Sequence, residues 1–283
     1  MRSAREDADG YRNAFVPGLK ASADAERLAD ELAFAAARLA ELAAEPPGIY
    51  AEIAAESDHE EATWLAFLVA YLGPIEADGA WPGAAPTTFA ADPFAGIRAA
   101  RTAWATGELP VLDGVPTGPR TAHDPSRGER TLASYRAWAG RAGSQAVAFI
   151  GESSWAPQRR FERVFERLAL PGLHRSARFE LLTLLGHLGV YELQADKLHV
   201  GYGDDVELAA KRVFGIGERT VLERRAAALA AAADLPLEAF DLGLLNWARP
   251  DGRMTLGAKA SADGLLRTRV RSALSLDAAP RKS

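Results

Sequence analysis

The chain contains no cysteine and only two methionines. Without cysteine there can be no disulfide, no thiolate-bound zinc and no cysteine-ligated iron–sulfur cluster. Histidine is scarce as well, at five residues. His174, His187 and His199 show no metal-ligand spacing with carboxylates, so neither a metal nor a cofactor is expected. No apolar run approaches the roughly 18–20 residues a membrane span needs, and no leader-like charged-then-apolar segment opens the sequence. The cytoplasm is the default compartment and a monomer the default state. Convincing strand patterns and internal repeats are missing too, which leaves helices to build the fold.

What the chain does have is ordinary globular composition, 48% hydrophobic and 25% charged over 283 residues. That length fits one large domain or two lobes sharing a core. The net charge of −5 argues against indiscriminate DNA binding, but the charge is unevenly placed. Residues 1–61 carry 14 acids against 6 bases. Residues 157–178 carry Arg159, Arg160, Arg163, Arg167, Arg175 and Arg178 against two glutamates, and residues 211–225 carry Lys211, Arg212, Arg219, Arg224 and Arg225 against two more. A local basic footprint is what phosphate contact requires, although solvated helix faces with i,i+4 pairs produce the same clusters.

Along the chain, Ser22 caps a helix with Leu28, Leu32, Leu39 and Leu42 at helical period, ended by Pro46-Pro47. A short helix follows near Ile49 to Ala55. Asp58 or Ser57 caps the next, which carries Trp64, Leu65, Leu68 and Tyr71 up to Gly73-Pro74. Residues 74–92 and 107–129 read as Gly/Pro loops around a helix that starts at Asp92-Pro93. Helices are expected from Glu129 to Gly140, from Pro157 to Leu168 and from Arg175 to Leu188, the last strongly apolar and central. One more is expected near Leu265 to Leu274. The expected domains are residues 1–140, 141–250 and a C-terminal extension 251–283.

One stretch organises the rest: Val213-Phe214-Gly215-Ile216-Gly217-Glu218-Arg219-Thr220-Val221. Two glycines one residue apart can turn the backbone sharply, because positive φ costs glycine nothing. The helix that follows begins with unpaired N–H groups, which suit an anion such as a phosphate. After it, Phe240-Asp241-Leu242 places one acid in an apolar segment that starts a new helix. The plainer alternative is a glycine C-cap and a satisfied helix-start carboxylate.

In this order, a glycine hairpin followed by a single Asp resembles the helix-hairpin-helix DNA glycosylase superfamily, whose hairpin reads apolar, Gly, apolar, Gly, two variable residues, Thr. The resemblance implies an all-α, two-lobed helix-hairpin-helix DNA glycosylase-like fold. The segment from Trp155 to Trp247 is most similar to a branch described as alpha-glutamyl/putrescinyl thymine pyrophosphorylase. Trp155-Ala156-Pro157, Phe165-Glu166-Arg167-Leu168, Lys211-Arg212-Val213-Phe214 and Asn246-Trp247 carry that likeness, over about a third of the chain. Phe214 stands where proline is usual, Val221 where alanine is usual, and the cluster cysteines of some relatives are missing.

The resemblance implies Asp241 as the catalytic carboxylate, because an acid beside C1′ stabilises an oxocarbenium-like sugar and can orient the attacking water. It implies duplex DNA with a flipped-out base as the partner. Gly215, Gly217, Thr220, Lys211, Arg178 and Arg219 would contact DNA, fixing register without reading sequence. Arg219 stands where strand-cleaving relatives carry a lysine. Guanidinium cannot form a Schiff base, so release of a base without nicking is expected. Trp155, Tyr191, Asn246 and Trp247 are candidate base-pocket residues, with core packing the plainer role for each aromatic.

The implied activity is excision of a modified, bulky pyrimidine, hydroxymethylated or glycosylated, as in anti-phage defence by similar proteins. The alternatives are amine-for-pyrophosphate substitution on a hypermodified thymine, and DNA binding without catalysis.

Overall fold

In the computed structural model the described residues are 8–73, 94–112, 114–249, 253–257, 259 and 264–277. Among them all regular structure is helical, as the missing strand patterns predict. The chain divides into two compact units. One comprises residues 1–40, 196–254 and 259–283; the other comprises residues 41–195 and 255–258. The expected boundary at 140 is therefore not where the units part. The opening segment joins the hairpin helices, because the apolar stripe of its long helix packs on the helix that carries Asp241.

The second unit is built on two helices, α3 (His59–Leu72) and α9 (Arg175–His187), which pack against each other. α3 is apolar on every side, so no face of it can rest in water; Trp64, Phe67, Leu68 and Tyr71 are all fully buried. Asp58 caps α3 by accepting the Glu60 N–H at 2.9 Å, and Gly73 ends it in the left-handed region. Tyr135 of α6 (Gly128–Ala142) stacks on Phe67 with ring centroids 3.8 Å apart. Between α6 and α8 (Pro157–Arg167), Ser144 caps the short α7 (Gln145–Ile150), which sequence reading passes over. Glu60 ties α7 to α3 by accepting the Ala146 N–H at 2.7 Å and the Gln145 N–H at 3.1 Å.

α2 (Ile49–Ala55) sits where expected. The single helix expected after Asp92-Pro93 is instead two short ones, α4 (Ala95–Ala99) and α5 (Ala103–Thr106). Its predicted start and the loop 74–92 lie outside the described residues, apart from Phe94 onward.

The first unit contains α1 (Ser22–Ala44, its last turn belonging to the other unit), α10 (Asp205–Phe214), α11 (Arg219–Ala233), α12 (Ala239–Ala248) and α13 (Gly264–Ala273). α1 begins at Ser22, but the cap is Asp9, whose carboxylate accepts both the Ser22 N–H at 3.0 Å and its hydroxyl. α12 packs on α10, and α11 packs on both α10 and α13. α12 also lies against α1: Gly243 meets Leu32, and the Trp247 indole donates to the Asp24 carbonyl at 2.9 Å. Arg267 and Arg271 of α13 pair with Asp30 and Glu26 of α1.

Candidate nucleic-acid interface

The turn between α10 and α11 forms as the glycine spacing suggests, with one difference. Gly215 has φ +84° and ψ 161°, a backbone region open only to glycine, and it terminates α10. Gly217 does not have positive φ, and a Cβ built on it would meet only Val221, at an ordinary 3.5 Å. The first glycine is thus required by the chain's own geometry. The second is not.

Several groups hold the turn from behind. The carbonyls at the end of α10 lack helical partners. Gly18 donates its N–H to the Val213 carbonyl at 3.0 Å, and the Arg225 guanidinium donates to the Phe214 carbonyl. The approach of Gly18 is so close that a Cβ there would lie 2.2 Å from the Arg212 carbonyl oxygen. Glu223 of α11 accepts the N–H groups of Leu198 and Val200 at 2.6 and 2.9 Å, which pins the segment leading into α10. Nothing in the sequence pattern foretold the part played by residues 16–20, because their partners are almost two hundred positions away.

The front of the turn is open. Ile216, whose position in the hairpin pattern is apolar, is 96% exposed instead of packed inside. Glu218 is the N-cap residue of α11 and makes no side-chain cap bond; Arg219 and Thr220 are both exposed. Among the described residues no protein acceptor meets the backbone N–H groups of Arg219 and Thr220. These donors, the helix dipole behind them and the exposed Arg219 lie together at the start of α11, and Arg224 is exposed further along the same helix.

The remaining basic residues near the turn are engaged elsewhere. Lys211 pairs with Glu207 one helical turn earlier, at 3.2 Å. Glu207 is itself buried. Burial pushes its carboxyl up, but the Gly203 N–H at 2.8 Å and the Lys211 ammonium outweigh that and hold it below its ordinary value. Arg212 lies over the Trp247 ring at 4.6 Å. Arg178 belongs to the other unit and turns inward; it donates to the Phe165 carbonyl at 3.0 Å and lies over the Phe165 ring at 4.3 Å, with burial lowering its pKa. Of the residues expected to contact DNA, Lys211 is thus part-exposed and paired within its own helix, and Arg178 is bound to a carbonyl of its own unit.

Asp241 is the third residue of α12, a helix start as expected, in a helix packed on the first helix of the hairpin. It is only 2% exposed, between Phe240 and Leu242. The expected acid open to solvent beside the arginines is not what this conformation shows. A pocket of about 160 Å³ does exist in this unit, lined by Gly18, Lys20, Asp24, Arg212 and Trp247 among others, but Asp241 does not line it.

The four candidate base-pocket residues divide between the two units. Trp155 and Tyr191 belong to one unit, Asn246 and Trp247 to the other, and all are buried. Asn246 uses both ends of its amide on Met254, donating to its carbonyl and accepting its N–H, each at 3.0 Å. Both polar atoms of the amide are thus engaged inside the protein, and the side chain is 3% exposed. Trp247 is 1% exposed, with Arg212 and Arg27 over its ring. Tyr191 stacks on Phe149 and shares a 2.7 Å hydrogen bond with the Thr63 hydroxyl; burial pushes its pKa up to about 12. Packing wins for Tyr191, Asn246 and Trp247, because each has its polar atom satisfied inside the protein. Trp155 differs: its buried indole N–H has no acceptor among the described residues.

No group of three or more metal-ligating side chains occurs among the described residues, and none of their helices is long and apolar enough to cross a membrane. Comparison with family models, with curated proteins and with solved structures finds no match for this chain.

Proposed function

We propose that this protein binds DNA by its sugar–phosphate backbone, with the Gly215-to-Thr220 turn seated on a phosphate, and that it excises a modified pyrimidine with Asp241. The observation that carries the binding half is the uncapped start of α11, where backbone donors without a protein acceptor and the exposed Arg219 stand at a turn held from behind. A phosphate there would accept the free N–H groups and gain from the helix dipole without base-specific contact. Gly217, with no conformational need to be glycine, keeps that approach clear.

The excision half rests on the resemblance, with Asp241 buried at 2% exposure in this conformation. The acid rides on a helix packed against α10, so it moves with the hairpin that would grip the strand. An acid brought beside C1′ of a flipped nucleotide would stabilise the developing sugar cation. With Arg219 at the hairpin, base release leaves an abasic site and an intact strand.

The test uses purified protein with duplexes containing hydroxymethylated or glucosylated pyrimidines. Alkali-labile abasic sites are expected with at least one substrate. Asp241→Asn should abolish them while DNA is still retained; their absence on every substrate, with binding intact, leaves DNA binding alone. That second reading is favoured by the 2% exposure of Asp241. Nucleoside mass spectrometry separates both from base substitution, which would yield a heavier base and no base loss.

A further inference from the structure

Six arginines crowd residues 157–178, and the structure sorts them. Arg160 is buried and donates to the carbonyls of Ile150, Trp155 and Glu192 at 2.8, 3.2 and 2.9 Å. Arg175 is buried over the Phe179 ring, and Arg178 is bound to the Phe165 carbonyl. Arg159, Arg163 and Arg167 are left, all exposed and all on α8. They stand at i, i+4 and i+8, so they form one stripe along the helix with a rise of about 6 Å per step.

Like charges at this spacing repel and weaken the helix that carries them. Ordinary surface helices relieve the strain with acids, and Arg163 follows that rule by pairing with Glu166 at 3.3 Å. Arg159 and Arg167 do not. Among the described residues neither makes an ion pair or hydrogen bond; each has its guanidinium over the ring of Trp155, at 5.7 and 5.3 Å from the centroid. One indole therefore holds both cations, no more than about 11 Å apart. At ~3.4 Å of axis per nucleotide, that limit corresponds to no more than about three nucleotides of one strand. The indole itself is buried, at 6% exposure, and its N–H has no hydrogen-bond acceptor among the described residues. That N–H is sealed from outside, so a ligand would meet the two cations over the ring and not the indole nitrogen.

We propose that the Arg159–Arg163–Arg167 stripe, aligned on Trp155, is a second contact for the DNA backbone. It is carried by the unit that lacks the hairpin. The inference rests on the reading that the protein binds DNA, but it uses none of the hairpin's residues. Guanidinium forks match phosphate oxygens in pairs, and a row in which the two outer members lack acid partners suits a regular polyanion.

The test is fluorescence anisotropy of the full chain with a labelled duplex of about 25 base pairs, across a salt series. Arg159→Gln/Arg167→Gln should weaken binding about tenfold or more and flatten the log–log salt slope by nearly 2, since each lost phosphate contact removes about 0.9. A control, Arg130→Gln/Arg141→Gln, removes the same charge from exposed positions of α6 and should change affinity less than twofold. Trp155→Phe should weaken binding by several-fold with the salt slope unchanged, since it loosens the cations without removing them. Melting curves check that each variant folds. Equal losses from both double variants would mean general charge attraction and overturn the proposal.

Wild-type binding by Arg159→Gln/Arg167→Gln overturns it while leaving the hairpin reading intact if Gly217→Ala binds weakly. The reverse pattern sinks the hairpin and keeps α8. If poly-glutamate displaces the duplex from wild type charge for charge, but not from the Arg159/Arg167 variant, the stripe takes acidic polypeptide and the proposal fails. No duplex binding by wild type ends both readings.

Discussion

The turn at residues 215–220 and the helix at 239–248 belong to the same compact unit, and they treat their polar groups in opposite ways. In α12 the polar side chains of Asn246 and Trp247 are buried and matched to partners within the protein. At the turn, donors are held in place from behind and left unmatched in front. The difference is informative because an unmatched polar group costs little in water and much in a core. Open donors on a rigid frame are suited to a ligand, whereas matched ones suit stability.

That contrast can be broken from either side. The largest effect is expected in α12, where Trp247→Ala removes a fully buried indole and its hydrogen bond to Asp24. Thermal or denaturant unfolding should show a loss of about 3–5 kcal/mol. Next comes Gly215→Ala, which forces a Cβ onto φ +84° and should lower stability by about 1–3 kcal/mol. A smaller, pH-dependent effect belongs to Glu207. Its folded carboxyl is held below its ordinary value, so its contribution is full above the unfolded glutamate pKa of about 4.3 and disappears as pH falls through the folded value. The melting-temperature difference between wild type and Glu207→Gln should accordingly be constant at neutral pH and close under acid. Smallest in stability is Gly217→Ala, expected to stay within about 0.5 kcal/mol because the new methyl meets only ordinary contacts. Its DNA affinity should nevertheless fall at least fivefold, by anisotropy; an unchanged affinity would mean that the open side of the turn is not where the backbone sits.

Sequence alone reached those features that are encoded locally. Pro46-Pro47, the Asp58 cap, Pro157 at the first position of α8 and the glycine after α10 each act on their nearest neighbours, so their helices end where expected. The hairpin was legible for the same reason. Residues whose partners come from distant positions were not. Arg178 reads as free charge until Phe165 is placed beneath it, and Asn246 reads as a pocket residue until Met254 folds back onto it. The split at residues 40 and 195 escaped notice because an apolar stripe shows that a helix is covered and not by what.

Gly18 donating to Val213 has a bearing on how the molecule is made. A ribosome must add 195 residues after Gly18 before that carbonyl exists, so a segment made early waits for one made much later. Contacts this far apart slow folding by the entropy of closing the intervening loop. An excised peptide spanning only α10 and α11 would lack this brace, and its turn should wander where the whole protein keeps it still.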